Sequence, residues 1–160
     1  MTKRKGPTSK TDGRVGERAV LCVDTDASYA DMLHKAWQQL RLANDLHIAR
    51  SREEALDILD AALDGGSRPA AVVLDPEATG EETGAFMREV RQHCGRGKVP
   101  IIFWSQDSEK YEVLEGLGVE SVLRKPGVLR LVQSLHEVCE ISVHSFLPFP
   151  GDQPNKGSQA

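Results

Sequence analysis

Val20-Leu21-Cys22-Val23-Asp24-Thr25-Asp26 is an apolar run that stops at an acidic cluster, and the same grammar returns further along the chain. Ala70-Ala71-Val72-Val73-Leu74 ends at Asp75, Pro100-Ile101-Ile102-Phe103-Trp104 ends at Ser105, and Ser121-Val122-Leu123-Arg124 ends at Lys125-Pro126. Short apolar runs without polar alternation are what strands look like when helices cover both faces of their sheet. In such open parallel sheets ligands bind outside the carboxyl ends of the strands, so residues distant in sequence meet there. Carboxylates, a hydroxyl and a lysine are thereby expected in one crevice.

The segments between these runs carry helical spacing. Met32, Leu33, Ala36, Trp37 and Leu40 mark a helix over about Ser28 to Leu40. Asp45 to Arg50 reads as a shorter, more polar strand at a sheet edge. Ser51 with Glu54 gives a capping-box pattern, and Ala55, Leu56, Leu59, Ala62 and Leu63 form the stripe of a second helix that Gly65 and Gly66 stop. Further helices are predicted over Gly84 to His93, Glu109 to Leu117, and beyond Pro126, where Val128, Leu131, Val132, Leu135 and Val138 share a face. Five strands and five helices therefore alternate, as in a βα series with a parallel sheet.

At 160 residues and 39% hydrophobic content the chain suits one domain with a real core. A net charge of -4 argues against a general nucleic-acid binder, although Lys3, Arg4, Lys5, Lys10 and Arg14 make the start locally basic. Residues 1–17 are expected to be a flexible tail, 18–144 the folded domain, and 145–160, with Pro148, Pro150, Gly151 and Pro154, a second flexible tail. Cys22, Cys94 and Cys139 are odd in number and lack CxxC spacing, which argues against a disulfide framework or a zinc site. The histidines are scattered, and Trp37 and Trp104 lie within apolar elements and read as core. With no signal-peptide core and no apolar run long enough to span a bilayer, a cytoplasmic protein without membrane contact is expected.

From Arg18 to Glu140 this order of features resembles the receiver domain of bacterial two-component response regulators. The acidic cluster after the first strand, the lone Asp75, Ser105 and Lys125-Pro126 carry the resemblance. It implies a flavodoxin-like (βα)5 three-layer sandwich with sheet order 2-1-3-4-5. It further implies that Asp75 is a phosphoacceptor, loaded from a histidine kinase or phosphotransfer protein, with Ser105 and Lys125 contacting the phosphoryl group. Mg²⁺ would be bound by Asp24, Asp26, Asp75 and the backbone carbonyl of Glu77, and the Lys125-Pro126 bond would be cis. The implied role is a stand-alone signalling module, not an enzyme beyond its self-phosphorylation, that docks to a downstream protein without touching nucleic acid. A homodimer is left open.

The chain departs from the family pattern at Thr25, where a second acid is usual, so that Asp26 becomes the candidate substitute. Thr79 and an added residue before Gly84 alter the loop after Asp75, and Val122 stands where a switch aromatic is usual. Two other readings compete. A receiver that is never phosphorylated would serve as a binding module. A phosphatase of the haloacid dehalogenase type would use Asp24 as nucleophile and Asp26 as general acid, but it requires further metal-binding acids after the lysine strand, and Asp152 in a Pro/Gly-rich tail is a poor candidate. A flavin-binding domain is disfavoured because the first loop is acidic and lacks glycine.

Overall fold

The computed structural model describes residues 18–94, 99–116 and 118–139. The expected tails, and the end of the expected domain at 140–144, lie outside the described residues. Five parallel strands, β1 (Val20–Val23), β2 (Leu46–Ala49), β3 (Ala71–Leu74), β4 (Ile101–Ser105) and β5 (Ser121–Arg124), line up in the order β2-β1-β3-β4-β5. This is the expected flavodoxin-like order, with the more polar β2 at one edge and the wholly buried β1, β3 and β4 inside.

Helices α1 (Ala27–Gln39), α2 (Arg52–Asp64), α4 (Thr83–His93) and α5 (Val128–Cys139) flank the sheet, and α3 (Pro76–Thr79) is a single turn directly after β3. Strand residues alternate strictly between two cores, because successive side chains leave a strand on opposite faces. Val20, Cys22, Ala71, Val73, Ile102, Trp104 and Leu123 pack with Leu33 and Trp37 of α1 and Leu131 and Leu135 of α5. Leu21, Val23, Val72, Leu74, Ile101 and Phe103 pack with Ala55 and Leu59 of α2 and Phe86 and Val90 of α4. At α2 the Ser51 hydroxyl accepts the Glu54 N–H at 3.1 Å, while the Glu54 carboxylate accepts the Arg50 N–H at 2.7 Å. The expected cap is formed, its return bond falling one residue before the capping position.

The helix expected over Glu109 to Leu117 is shorter and of another kind, and Leu117 lies outside the described residues. Ser108–Leu114 is instead a 3-10 helix, and positive φ at Gly116 and Gly118 turns the chain at once into β5. A 3-10 helix stacks positions three apart, which puts Tyr111 and Leu114 together against the α2/α4 core. The loop after Asp75 is also reshaped: α3 runs into a 3-10 turn, Gly80–Glu82, with Gly80 at φ 57°. The Thr79 and Thr83 hydroxyls bond one another at 2.7 Å across that turn.

Candidate functional site

Alternation decides which side chains meet at the carboxyl edge of the sheet. Asp24, Asp75 and Lys125 continue the parity of Cys22, Val73 and Leu123, so all of them point to the α1/α5 side. Ser105 continues the parity of Phe103, on the other side. Lys125 starts from β5 and reaches past β4 to acids on β3 and β1, a span of more than one inter-strand spacing of about 4.8 Å. Its Nζ ends 2.6 Å from Oδ2 of Asp75 and 2.6 Å from Oδ2 of Asp24. On the way it passes the Trp104 ring, whose centroid is 5.2 Å from Nζ, and lies 4.3 Å from the centroid of Tyr29.

These three ionisable groups are nearly sealed: Asp24 is 1% exposed, Lys125 5% and Asp75 8%. Burial raises the Asp24 pKa above the ordinary carboxylate range, against the lowering pull of Lys125. Burial also works against the Lys125 charge, but hydrogen bonds and charge from Asp24 and Asp75 outweigh it, and its pKa is raised. The lysine is therefore a fixed ammonium. Below the site, burial pushes the Cys22 thiol well up, which leaves it unreactive.

Asp75 does two things at once. Its Oδ1 accepts the Glu77 N–H at 3.0 Å and so caps α3, while Oδ2 faces the lysine. Asp24 likewise accepts the Asp26 N–H through Oδ1 at 2.9 Å. Its Oδ2, sealed from water, has the Lys125 ammonium as its close partner. Ser105 is fully buried, and its Oγ accepts the Asp107 N–H at 3.0 Å. The Lys125-Pro126 peptide is cis, as expected.

Asp26 is placed differently from the expectation. Its Oδ1 accepts both the Ser28 N–H at 2.9 Å and the Ser28 hydroxyl at 2.6 Å, capping α1 in the open. Those bonds, the hydroxyl first, hold its carboxyl below the usual range. Among the described residues no three His, Cys, Asp or Glu side chains converge on one point. The acids brought together are Asp24 and Asp75, and Thr25 is exposed, its carbonyl accepting from the Arg50 guanidinium at 2.8 Å. Two carboxylates still fit Mg²⁺, which commonly takes one or two from the protein and completes its shell with water and phosphate oxygens. The convergence of two buried carboxylates, Asp24 and Asp75, on one point at the sheet edge is the observation that supports this fit.

The Glu77 side chain is engaged by the Ser108–Leu114 segment. Its carboxylate accepts from the Tyr111 hydroxyl at 3.1 Å and lies 3.6 Å from Lys110, on the wall of a groove of about 510 Å³ beside α4. Sequence reading missed Tyr29 as part of the site and took Trp104 for core alone. Trp104 is core, fully buried, and also the floor beneath the lysine. Tyr29 lies three residues beyond Asp26 in the first turn of α1, a spacing that puts it near the same edge.

No protein-family model matches this chain, and no curated protein matches it in sequence. Solved structures do match its fold. A response regulator receiver protein from Burkholderia phymatum is 26% identical, with 80% of this chain and 99% of that chain covered and a TM-score of 0.58. The bacteriophytochrome response regulator AtBRR is 21% identical over 82% of this chain and 98% of that one, at a TM-score of 0.64. A putative response regulator from Chloroflexus aurantiacus J-10-fl is 24% identical over 76% and 96%, at 0.61. The chain has the receiver-domain fold of response regulators. No helix among the described residues is long and apolar enough to cross a membrane.

Proposed function

We propose that this chain is a stand-alone response regulator receiver, loaded with a phosphoryl group on Asp75 and signalling by contact with a downstream protein. The single observation that carries this reading is the 2.6 Å approach of the Lys125 ammonium to Oδ2 of Asp75, in a crevice shared with Asp24. A carboxylate oxygen attacks the phosphorus of a phosphohistidine, the P–N bond breaks, and the imidazole takes up a proton as it leaves. The product is an aspartyl phosphate. Because such transfer depends on positioning and charge neutralisation, the fixed Lys125 charge supplies one half of what two approaching anions need. Mg²⁺ held by Asp24 and Asp75 would supply the other half.

The phosphatase reading loses support from the same geometry. Its general acid would be Asp26, but that carboxyl is committed to Ser28 and held below the usual range, so at neutral pH it has no proton to give. The unphosphorylated binding module keeps one specific observation in its favour, since Lys125 already pairs with both buried acids. Intact mass after incubation with Mg²⁺ and acetyl phosphate decides between them. One phosphoryl group, absent from Asp75→Asn, is the expected result; no adduct in excess metal would leave the binding module.

A further inference from the structure

Tyr29 is bound to the crevice at several points, none of which the phosphoryl chemistry itself requires. Its ring face lies 4.3 Å from Nζ of Lys125 and meets Trp104 edge to face, with centroids 5.8 Å apart at 74°. Its hydroxyl accepts from Nε2 of Gln106 at 2.9 Å, and Gln106 directly follows Ser105. The ring is half-buried, whereas the lysine side chain beside it is 1% exposed. An ammonium at this distance from an aromatic face is attracted to it, most strongly where water is excluded. The other neighbours of Nζ are the Asp24 and Asp75 carboxylates and the Trp104 ring, so Tyr29 completes the enclosure on the α1 side.

We propose that Tyr29 is a positioning residue for Lys125: its ring holds the ammonium between Asp24 and Asp75, and Gln106 holds the ring. This rests on the reading of Asp75 as phosphoacceptor only for its effect on rate; the placement of the lysine stands apart from it. A long, four-carbon side chain reaching past a neighbouring strand has many rotamers, and the acids fix only its tip. The aromatic face removes the alternatives in which Nζ swings outward to water. Without it the ammonium spends part of its time away from the oxygen that must react, and small misplacements of such a group are costly in rate.

The test uses the full chain labelled with ¹⁵N-lysine, and two readouts. The first is the Nζ signal of Lys125, visible only while its protons exchange slowly with water; Lys125→Met assigns it. The second is the rate of adduct formation from acetyl phosphate with Mg²⁺. Tyr29→Leu should abolish the slow-exchanging signal and cut the rate by about tenfold, whereas Tyr29→Phe and Gln106→Ala, which delete the same hydrogen bond and leave the ring face, should each give a smaller loss in the same direction. Retention of the signal in folded Tyr29→Leu would overturn the proposal. If Tyr29→Leu does not fold, Gln106→Ala at an exposed position carries the test, and unchanged exchange and rate there would overturn it equally. If the parent chain takes up no phosphoryl group, the phosphoacceptor reading fails, while the exchange readout still decides the role of Tyr29.

Discussion

The chain leaves β1 and β3 in nearly the same way. Asp26 has φ -90° and ψ 110°, Asp75 has φ -90° and ψ 114°, and each carboxylate accepts the N–H two residues on, at 2.9 and 3.0 Å. Yet one is fully exposed and the other is 8% exposed, with its second oxygen 2.6 Å from an ammonium. Capping and chemistry are therefore not rival roles for a strand-end aspartate. One oxygen holds the loop, and whatever faces the second oxygen decides the function. At Asp75 the cap even serves the chemistry, since it fixes the orientation of the oxygen that faces Lys125.

The largest effect is expected from removing what the second oxygen faces. Lys125→Ala leaves two buried carboxylates with no cation between them, and breaking a buried pair in this way costs about 3–5 kcal/mol. Urea unfolding at neutral pH measures it. A loss under about 1 kcal/mol would mean that water enters the crevice freely and that Asp75 differs little from Asp26.

Next in size is the opposing pH dependence of the two acids of the first loop. The Asp24 pKa is raised by burial, so its contribution to stability is full below the unfolded value of about 3.9 and is lost as pH rises through the folded one. The Asp26 pKa is lowered, so its contribution is present above about 3.9 and is lost as pH falls through the folded value. Stability measured from acid to neutral pH for Asp24→Asn and Asp26→Asn, each subtracted from the parent, should give slopes of opposite sign. Slopes of the same sign would show that the Lys125 charge, not burial, governs Asp24.

Asp26→Ala separates the cap from the crevice. Loss of the Ser28 bonds should lower the melting temperature by roughly a few degrees, the usual scale for a small change in a domain of this size. Phosphoryl uptake at Asp75 should stay unchanged. A large fall in uptake would restore Asp26 to the metal set despite its bonds to Ser28.

Much of this was readable in the chain because strands have a period of two. Asp24, Asp75 and Lys125 each follow, two residues on, an apolar residue of the same core, so once the strands and their order are assigned their meeting is implied. The orientation of Asp26 was not readable: after the strand ends, that parity lapses, and Ser28 competes locally for the carboxylate. Tyr29 was legible but overlooked, since it lies three residues beyond Asp26 and on the same helical stripe as Leu33 and Trp37, the face of α1 that packs on the sheet. The Ser108–Leu114 segment misled because Tyr111 and Leu114, three apart, suit both α and 3-10 geometry, and the glycines that cut it short lie beyond it.

The smallest effect belongs to the link that the cap at Asp75 makes with the groove. Glu77 gives its N–H to Asp75 and accepts from the Tyr111 hydroxyl, so a backbone bond and a side-chain bond join the crevice to the 3-10 segment through one residue. Burial first, then the Glu77 bond and charge, push the Tyr111 pKa up to about 12. Glu77→Gln removes the charge and keeps the burial, so the tyrosine should ionise earlier, part of the way back toward about 10, in an ultraviolet pH titration read against Tyr111→Phe. Because Asp26 reaches the 3-10 segment through the longer chain of Asp24, Lys125 and Asp75, the same titration in Asp26→Asn should leave Tyr111 unmoved. A shift there would mean that the two strand exits communicate, and the contrast between a passive cap and a connected one would fall.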